Sequence, residues 1–269
     1  MTRQPRMAFG EVADRYDRVR PAYPDALVAD VVELSGVPAS GSALEVGAGT
    51  GKATEMFARR GVTVHAIEPS AEMATFARRR CAEFDGVTFE QCDFEDWRGP
   101  EHGSALVFSA QAWHWVAPEV RCAHARAALR DGGLLAVFWN RPDWDRCELR
   151  DELRNTYART APDFGPDPGP MHPGSEIAPD RWEDWEAEIG EAVGLEDPEV
   201  RFYESIGEYG SERYVELIGT SQDHILLPDD TRDALYAAVA EVVDRHGGTL
   251  TLPIVTKLCL ARAVPGGER

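Results

Sequence analysis

The chain has 269 residues, with 47 Asp and Glu against 28 Lys and Arg, and a net charge of −19. So large an excess of acid leaves no basic stripe to neutralise phosphates, so DNA, RNA and anionic membranes are excluded as expected partners and a small molecule is expected instead. No apolar run approaches the roughly eighteen residues of a membrane span and the N-terminus carries no signal-like apolar segment, so a cytoplasmic location is expected. Five cysteines without a CxxC pair and seven histidines without HExxH-like spacing predict a reducing compartment and no metal. The length and the 43% of hydrophobic residues suit one α/β domain with an insertion, as a monomer or homodimer. The charge is uneven: residues 141–220 hold 21 Asp and Glu against 8 Arg, which reads as a solvated helical face.

In chain order, an arm at residues 9–27 carries Tyr16, Arg20, Pro21, Tyr23 and Pro24 and leads into a helix expected over 24–34. A short apolar strand over 43–46 then meets a glycine turn and a helix beginning near Lys52, in the run LEVGAGTG at 44–51. Gly47, Gly49 and Gly51 alternate there, so the backbone can approach a ligand where a Cβ would collide, and the helix behind them offers unpaired N–H groups. A dinucleotide fingerprint started at Gly47 needs glycine or alanine at its sixth place and finds Lys52. A phosphate-cradling P-loop ending in Gly51 and Lys52 finds Val46 where its first glycine belongs and Ala53 in place of the Ser or Thr that holds magnesium. Both readings fail.

A second strand over 63–67 ends in Glu68, Pro69 and Ser70. Glu68 is a carboxylate at a strand tip, where it can accept both hydroxyls of a ribose, and Ser70 is placed to cap a helix that holds Met73. A third strand over 87–91 runs into Cys92, Asp93 and Phe94; a fourth over 105–108 delivers Ser109, Ala110 and Gln111 to the same edge, followed by Trp113, His114 and Trp115. A turn at Asp131, Gly132 and Gly133 precedes a fifth strand over 134–139. After Asn140 the pattern breaks into a helix over 148–160, a Pro/Gly stretch over 161–174 and an acidic, Trp-containing segment over 181–191, expected to form a cap that encloses substrate. The chain returns through a strand near 200–205, a segment over 209–227, a helix over 231–245 and a last strand over 250–260 in a hairpin-forming end. This alternation predicts an α/β fold, a Rossmann-like doubly wound seven-stranded sheet with a cap inserted after strand 5. The expected divisions are an arm and helix at 1–35, a cofactor-binding core at 36–140, a substrate cap at 141–225 and a returning helix and strand at 226–269.

The pattern Glu45-x-Gly47-x-Gly49-x-Gly51 resembles the first motif of the class I S-adenosylmethionine (SAM)-dependent methyltransferases. The run SAQAWHW at 109–115 resembles the fourth-strand segment of small-molecule methyltransferases with the type 11 domain, including those similar to trans-aconitate methyltransferases. The resemblance implies SAM as cofactor and S-adenosylhomocysteine as its product. It implies that Gly47, Ala48, Gly49 and Gly51 form the cofactor turn, that Glu45 lies near the methionine amino group and that Glu68, beside Pro69, takes the ribose. Met73 would sit over the adenine face, Asp93 with Phe94 would read the adenine amino group, and Ser109 and Gln111 would complete the cofactor edge. An arm of the YxxxRPxYP kind closes over the cofactor in that family, which assigns Tyr16 and Arg20 to the SAM carboxylate or an acidic substrate and Tyr23 to the substrate side.

Transfer of a methyl group from a sulfonium asks the protein for alignment, exclusion of water and, for a phenol, amine or carbon acceptor, a general base; a carboxylate acceptor needs none. His114 is the first candidate base, since it follows the fourth strand and an imidazole titrates near neutral pH, with His224 and His172 expected to face the same pocket from the cap. Trp113, Trp115 and Trp144 are candidates for an aromatic wall, and Arg141 for contact with an anionic substrate. The leading expectation is O-, N- or C-methylation of a natural product. Methylation of a small organic acid at its carboxylate, and a SAM-binding cyclase or isomerase without methyl transfer, remain open.

Overall fold

The computed structural model describes residues 17–39, 41–164, 169–175 and 185–267. Five parallel strands, β1 (Ser42–Val46), β2 (Val64–Ile67), β3 (Val87–Glu90), β4 (Ser104–Ala110) and β5 (Leu129–Pro142), lie in the order β3-β2-β1-β4-β5. The sheet is completed by β6 (Glu199–Gly210) and β7 (Thr249–Arg262), with β7 antiparallel between β5 and the edge strand β6. From residue 25 on, the helices among the described residues are, in chain order, α1 (Asp25–Ser35), α2 (Lys52–Ala58), α3 (Ala71–Arg80), α4 (Pro118–Ala128), α5 (Arg150–Thr160), α6 (Trp185–Glu191), α7 (Ser211–Ile218), α8 (Gln222–Ile225) and α9 (Asp229–Arg245).

The central strands are apolar at successive positions because helices cover both faces of the sheet. Ala43, Leu106, Phe108 and Phe138 turn towards Leu27 and Val31 of α1 and Phe57 of α2. Leu44, Val46, Val107 and Val137 turn to the opposite face, with Ala125 of α4 and Trp185 and Ile189 of α6. Period-two alternation thereby sends Glu45, the one acid inside β1, to the α1/α2 face, where it is fully buried. A third core joins Leu153 and Tyr157 of α5, Tyr214 and Leu217 of α7 and Leu235 and Val239 of α9 to Leu250 and Leu252 of β7.

Four differences from the sequence reading have physical causes. β6 runs on to Gly210 because it pairs with β7 along its whole length, from Glu199↔Leu260 to Gly210↔Thr249. The expected hairpin-forming end is a pair of antiparallel strands joined through α7, α8 and α9, two of them helices absent from the sequence reading. The Asp131-Gly132-Gly133 turn is a loop-out within β5: pairing with β4 jumps from Ser104↔Leu129 to Leu106↔Leu134, with Gly132 at φ 71°. The expected cap is also shared between two places, since α5 packs on α9 while α6 lies against the opposite sheet face.

Candidate cofactor and acceptor site

The carboxyl ends of parallel strands leave a crevice where the order of connection reverses, here between β1 and β4. A cavity of about 440 Å³ opens there. The three glycines around it have different work. All have φ in the left-handed region, at 75° for Gly47, 56° for Gly49 and 78° for Gly51. A Cβ on Gly47 would stand 2.3 Å from the Cβ of Ala112, and one on Gly51 would stand 3.0 Å from that of Ala77 on α3. A Cβ on Gly49 would meet nothing within 4 Å, and Gly49 lines the cavity. So Gly47 and Gly51 admit protein neighbours, and of the three only Gly49 leaves its space open to the cavity.

Two carboxyl groups hold this turn. Glu68 accepts from the backbone N–H of Gly49 at its Oε2 and of Ser70 at its Oε1, each at 2.8 Å, which ties the glycine turn to the end of β2. Ser70 caps α3 as expected, its Oγ accepting from the Met73 N–H at 3.3 Å, and Met73 lines the cavity. Glu45 is among the residues around the cavity; it accepts at Oε2 from the Thr54 hydroxyl of α2 at 2.5 Å, while its buried Oε1 has no hydrogen-bond partner. Burial pushes the Glu45 carboxyl up to about 8; the Thr54 hydrogen bond opposes this and the neighbouring Glu68 charge adds to it. An unpaired buried carboxyl oxygen of this kind is costly until a partner arrives, and an ammonium group fits it once the carboxyl ionises.

The arm is pinned to the same turn. Thr50 Oγ1 donates to Asp17 Oδ1 at 2.9 Å, Arg80 pairs with the other Asp17 oxygen, and Lys52 Nζ donates to the carbonyls of Asp17 and Arg20 at 2.8 and 2.6 Å. Burial drives the Lys52 amine down to about 8, with Asp17 opposing and the charges of Arg80, Arg20 and Arg213 adding to the fall. Arg20 lines the cavity and donates from Nε to Thr220 Oγ1 at 2.9 Å. Losing the Lys52 tether should loosen the arm without unfolding the sheet. Lys52→Met is expected to increase protease cleavage near residue 20 by roughly tenfold while the melting temperature changes by less than about 5 °C.

Across the cavity the lining turns aromatic. Gln111, held at φ 59°, donates its N–H to the Phe138 carbonyl at 2.9 Å and accepts the Asn140 N–H at Oε1 at 2.5 Å, locking the ends of β4 and β5 together. The next turn places His114 between two indoles, with ring centroids 4.4 Å from Trp115 and 4.3 Å from Trp139. Burial, then the charges of Arg121 and Arg141, push the His114 imidazole down to about 4, and its Nδ1 has no hydrogen-bond partner. The imidazole is therefore neutral at physiological pH.

The cavity gathers Arg20, Tyr23, Glu45, Gly47, Ala48, Gly49, Glu68, Pro69, Met73, Asp93, Phe94, Gln111, His114, Trp115 and Arg141 from the sequence-derived set. Six others lie elsewhere. Gly51 packs on α3; Ser109 donates to the Val46 carbonyl at 2.9 Å; Trp113 is fully buried beside Arg121. Trp144 sits in the third core and donates to the Pro170 carbonyl at 3.0 Å. His224 is buried, its Nε2 2.8 Å from the Tyr157 hydroxyl, and His172 meets the same Tyr157 ring edge-on at 4.6 Å between centroids, so these two belong to an aromatic cluster beneath the cavity wall. Tyr16 lies outside the described residues. Trp139 and Asn140 at the end of β5, Tyr209 of β6 and Leu252 and Ile254 of β7 line the cavity but were missed. The strand-end rule that selected Gln111 would have found the first two.

Residues 43–133 match the family described as "Methyltransferase domain". An uncharacterized methyltransferase of Mycobacterium tuberculosis is 32% identical over 139 residues, 51% of this chain and 54% of that protein. The chain thus spans about half the length of the curated relatives it matches. Among solved structures, a protein from Anaeromyxobacter dehalogenans provisionally named a type II methyltransferase superposes with a TM-score of 0.63 at 21% identity, over 91% of this chain and 99% of that one. The 4+2 cyclase SpnF superposes with a TM-score of 0.56 at 16% identity, over 96% and 95%. At such identities the likeness carries the fold alone. The match to the methyltransferase-domain family is confined to residues 43–133, and the chain as a whole has the Rossmann-like fold of methyltransferases.

Proposed function

We propose that the chain binds SAM in the half of the cavity built by β1, β2 and β3 and directs its methyl group to a small molecule held against Trp115, Trp139 and Tyr23. The observation that carries this reading is Glu45, a residue around the cavity whose buried carboxyl oxygen lacks a hydrogen-bond partner, together with Gly49, whose absent Cβ leaves open space on the same cavity. When bound, SAM supplies a methyl group on a sulfonium and leaves as S-adenosylhomocysteine. Glu45 would hold the ammonium group, Glu68 the ribose and Asp93 the adenine edge, while Met73 and Phe94 supply apolar contact. The four acids on this side, Glu45, Glu68, Asp93 and Glu95, suit a cofactor with two cationic centres.

The opposite half offers flat aromatic surface from Trp115, Trp139, Tyr23 and Tyr209, so the acceptor is a molecule with planar or apolar body. A neutral imidazole with a conjugate acid as strong as that of His114 is a weak base, so His114 orients the acceptor and passes a proton only from a group that acidifies as its bond to carbon forms. A small carboxylic acid is the second acceptor class, favoured by Arg141, which lines the cavity close enough for its charge to act on His114. Product mass decides between transfer and rearrangement: a gain of one methylene with S-adenosylhomocysteine released supports transfer, and an isomeric product without it supports the cyclase alternative.

His114→Ala tests the acceptor half. SAM affinity is expected to stay within about threefold, while methyl transfer to any acceptor found by a homocysteine-release screen falls by roughly 10–100-fold. Because the imidazole stays neutral down to about pH 4, the wild-type rate is expected to show no inflection near pH 6.5. A rate rising tenfold between pH 5.5 and 7.5 and flattened by His114→Ala would contradict the neutral imidazole.

A further inference from the structure

The turn that presents His114 and Trp115 is gripped from outside the cavity. Arg121 of α4 donates from Nη1 to the carbonyls of Trp113 and Val116, at 2.9 and 3.5 Å, so one guanidinium spans both ends of the turn. Its other edge forms a two-point pair with Glu188 of α6, Nε to Oε1 at 2.6 Å and Nη2 to Oε2. The guanidinium also lies 5.6 Å from the Trp113 ring. A fork of five donors is the one side chain that can hold two carbonyls and a carboxylate at once.

α6 reaches the acceptor wall by a second route. Trp185 packs on Trp139 at 5.3 Å between centroids, and Trp139 packs on His114. Two residues from the Arg121 partner, Glu186 pairs with Lys257 of β7 at 2.5 and 2.8 Å; Lys257 stands opposite Trp139 in the β5/β7 register and is 3% exposed. A seven-residue helix is thus clamped by one buried cation from α4 and one from the sheet. Removing one partner of such a pair leaves a buried charge, so the clamp acts as a unit.

We propose that Arg121 and Glu188 are positioning residues for the acceptor: they tie α6 to the Trp113–Trp115 turn and so fix the His114 imidazole between Trp115 and Trp139. This rests on the reading that the aromatic half of the cavity receives the acceptor. Arg121 acts twice, by geometry on the turn and by its charge, which disfavours protonation of His114.

The test is a pH titration of the imidazole resonances by NMR in wild type, Glu188→Gln and Arg121→Met, with His114 identified by its loss in His114→Ala, alongside calorimetry with SAM. In Arg121→Met the His114 midpoint is expected to rise by about one pH unit or more. In Glu188→Gln its resonances are expected to shift and broaden, with KM for the acceptor raised about tenfold, kcat within threefold and SAM affinity unchanged. Glu188→Asp, which keeps the charge, is expected to restore most of the loss. Glu188 is 25% exposed, so Glu188→Gln carries the test should Arg121→Met not fold. Unchanged His114 resonances in a folded Glu188→Gln protein would overturn the proposal. Failure of the wild type to bind SAM would sink the functional reading instead, and leave the NMR comparison to decide this one.

Discussion

Gly49→Val is expected to abolish measurable SAM binding, a loss of ~100-fold or more, equal to ~2.7 kcal/mol, while the protein still folds. The new side chain would project into open cavity space from a residue at φ 56°, so it would occupy the ligand's volume and add left-handed strain of roughly 1–2 kcal/mol. Gly47→Ala should do the reverse. Its Cβ would lie 2.3 Å from that of Ala112, and overpacking with backbone strain predicts a cost of roughly 2–5 kcal/mol and a melting temperature lowered by roughly 5–15 °C. Paired melting curves and calorimetry separate the two. Equal stability losses with equal affinity losses would contradict the division of labour within the turn.

Glu45→Gln is expected to stabilise the ligand-free protein above neutral pH and to weaken SAM binding by roughly 10–100-fold, the value of one charge-assisted hydrogen bond. The carboxyl is raised from its ordinary 4.5 to about 8 in the folded chain, so between those values the native state binds more protons than the unfolded one. Stability from this group is therefore complete below about pH 4.5 and is lost as pH rises towards 8, on the order of 5 kcal/mol in all. His114, His172 and His224, pushed down to about 4, 4 and 3, act oppositely and cost stability as pH falls below 6.5. The window from 6.5 to about 7.5 therefore reports Glu45, because Lys52, lowered to about 8, acts oppositely above it. There the wild type should lose stability with rising pH, the Glu45→Gln protein should not, and SAM affinity should rise by up to tenfold per pH unit because an ammonium ligand requires the carboxylate. Binding at pH 7 should release close to one proton, read as a dependence of the binding heat on the buffer's ionisation enthalpy. A heat independent of buffer would contradict the protonated Glu45.

The half of the cavity at the carboxyl ends of β1 to β4 was legible in the sequence because each of these strands ends on a residue that lines it, Gly49, Glu68, Asp93 and Gln111. Even there, the pattern could not tell a glycine that faces open cavity from one that faces a helix. Gly51 differs from Gly49 only in having Ala77 behind it, a contact made across 26 residues of chain. The acceptor half was less legible because it depends on packing between distant elements. His224 adjoins Asp223, which lines the cavity, yet α8 turns the imidazole inwards to Tyr157. Tyr209, Leu252 and Ile254 come from antiparallel strands, where alternation distinguishes the two faces but does not say which end of the strand meets the cavity. Arg121 and Glu188, separated by 67 residues, carry no motif and become a pair only when α6 docks.

Calorimetry of the wild-type protein with SAM and, separately, with NAD at pH 7.5 tests the central claim most directly. Micromolar binding of SAM with no heat from NAD, lost in Gly49→Val, is the result expected from the open space at Gly49 and the waiting oxygen of Glu45. Absence of SAM binding, or preference for NAD, would contradict the assignment of this cavity to a methyl-donor cofactor.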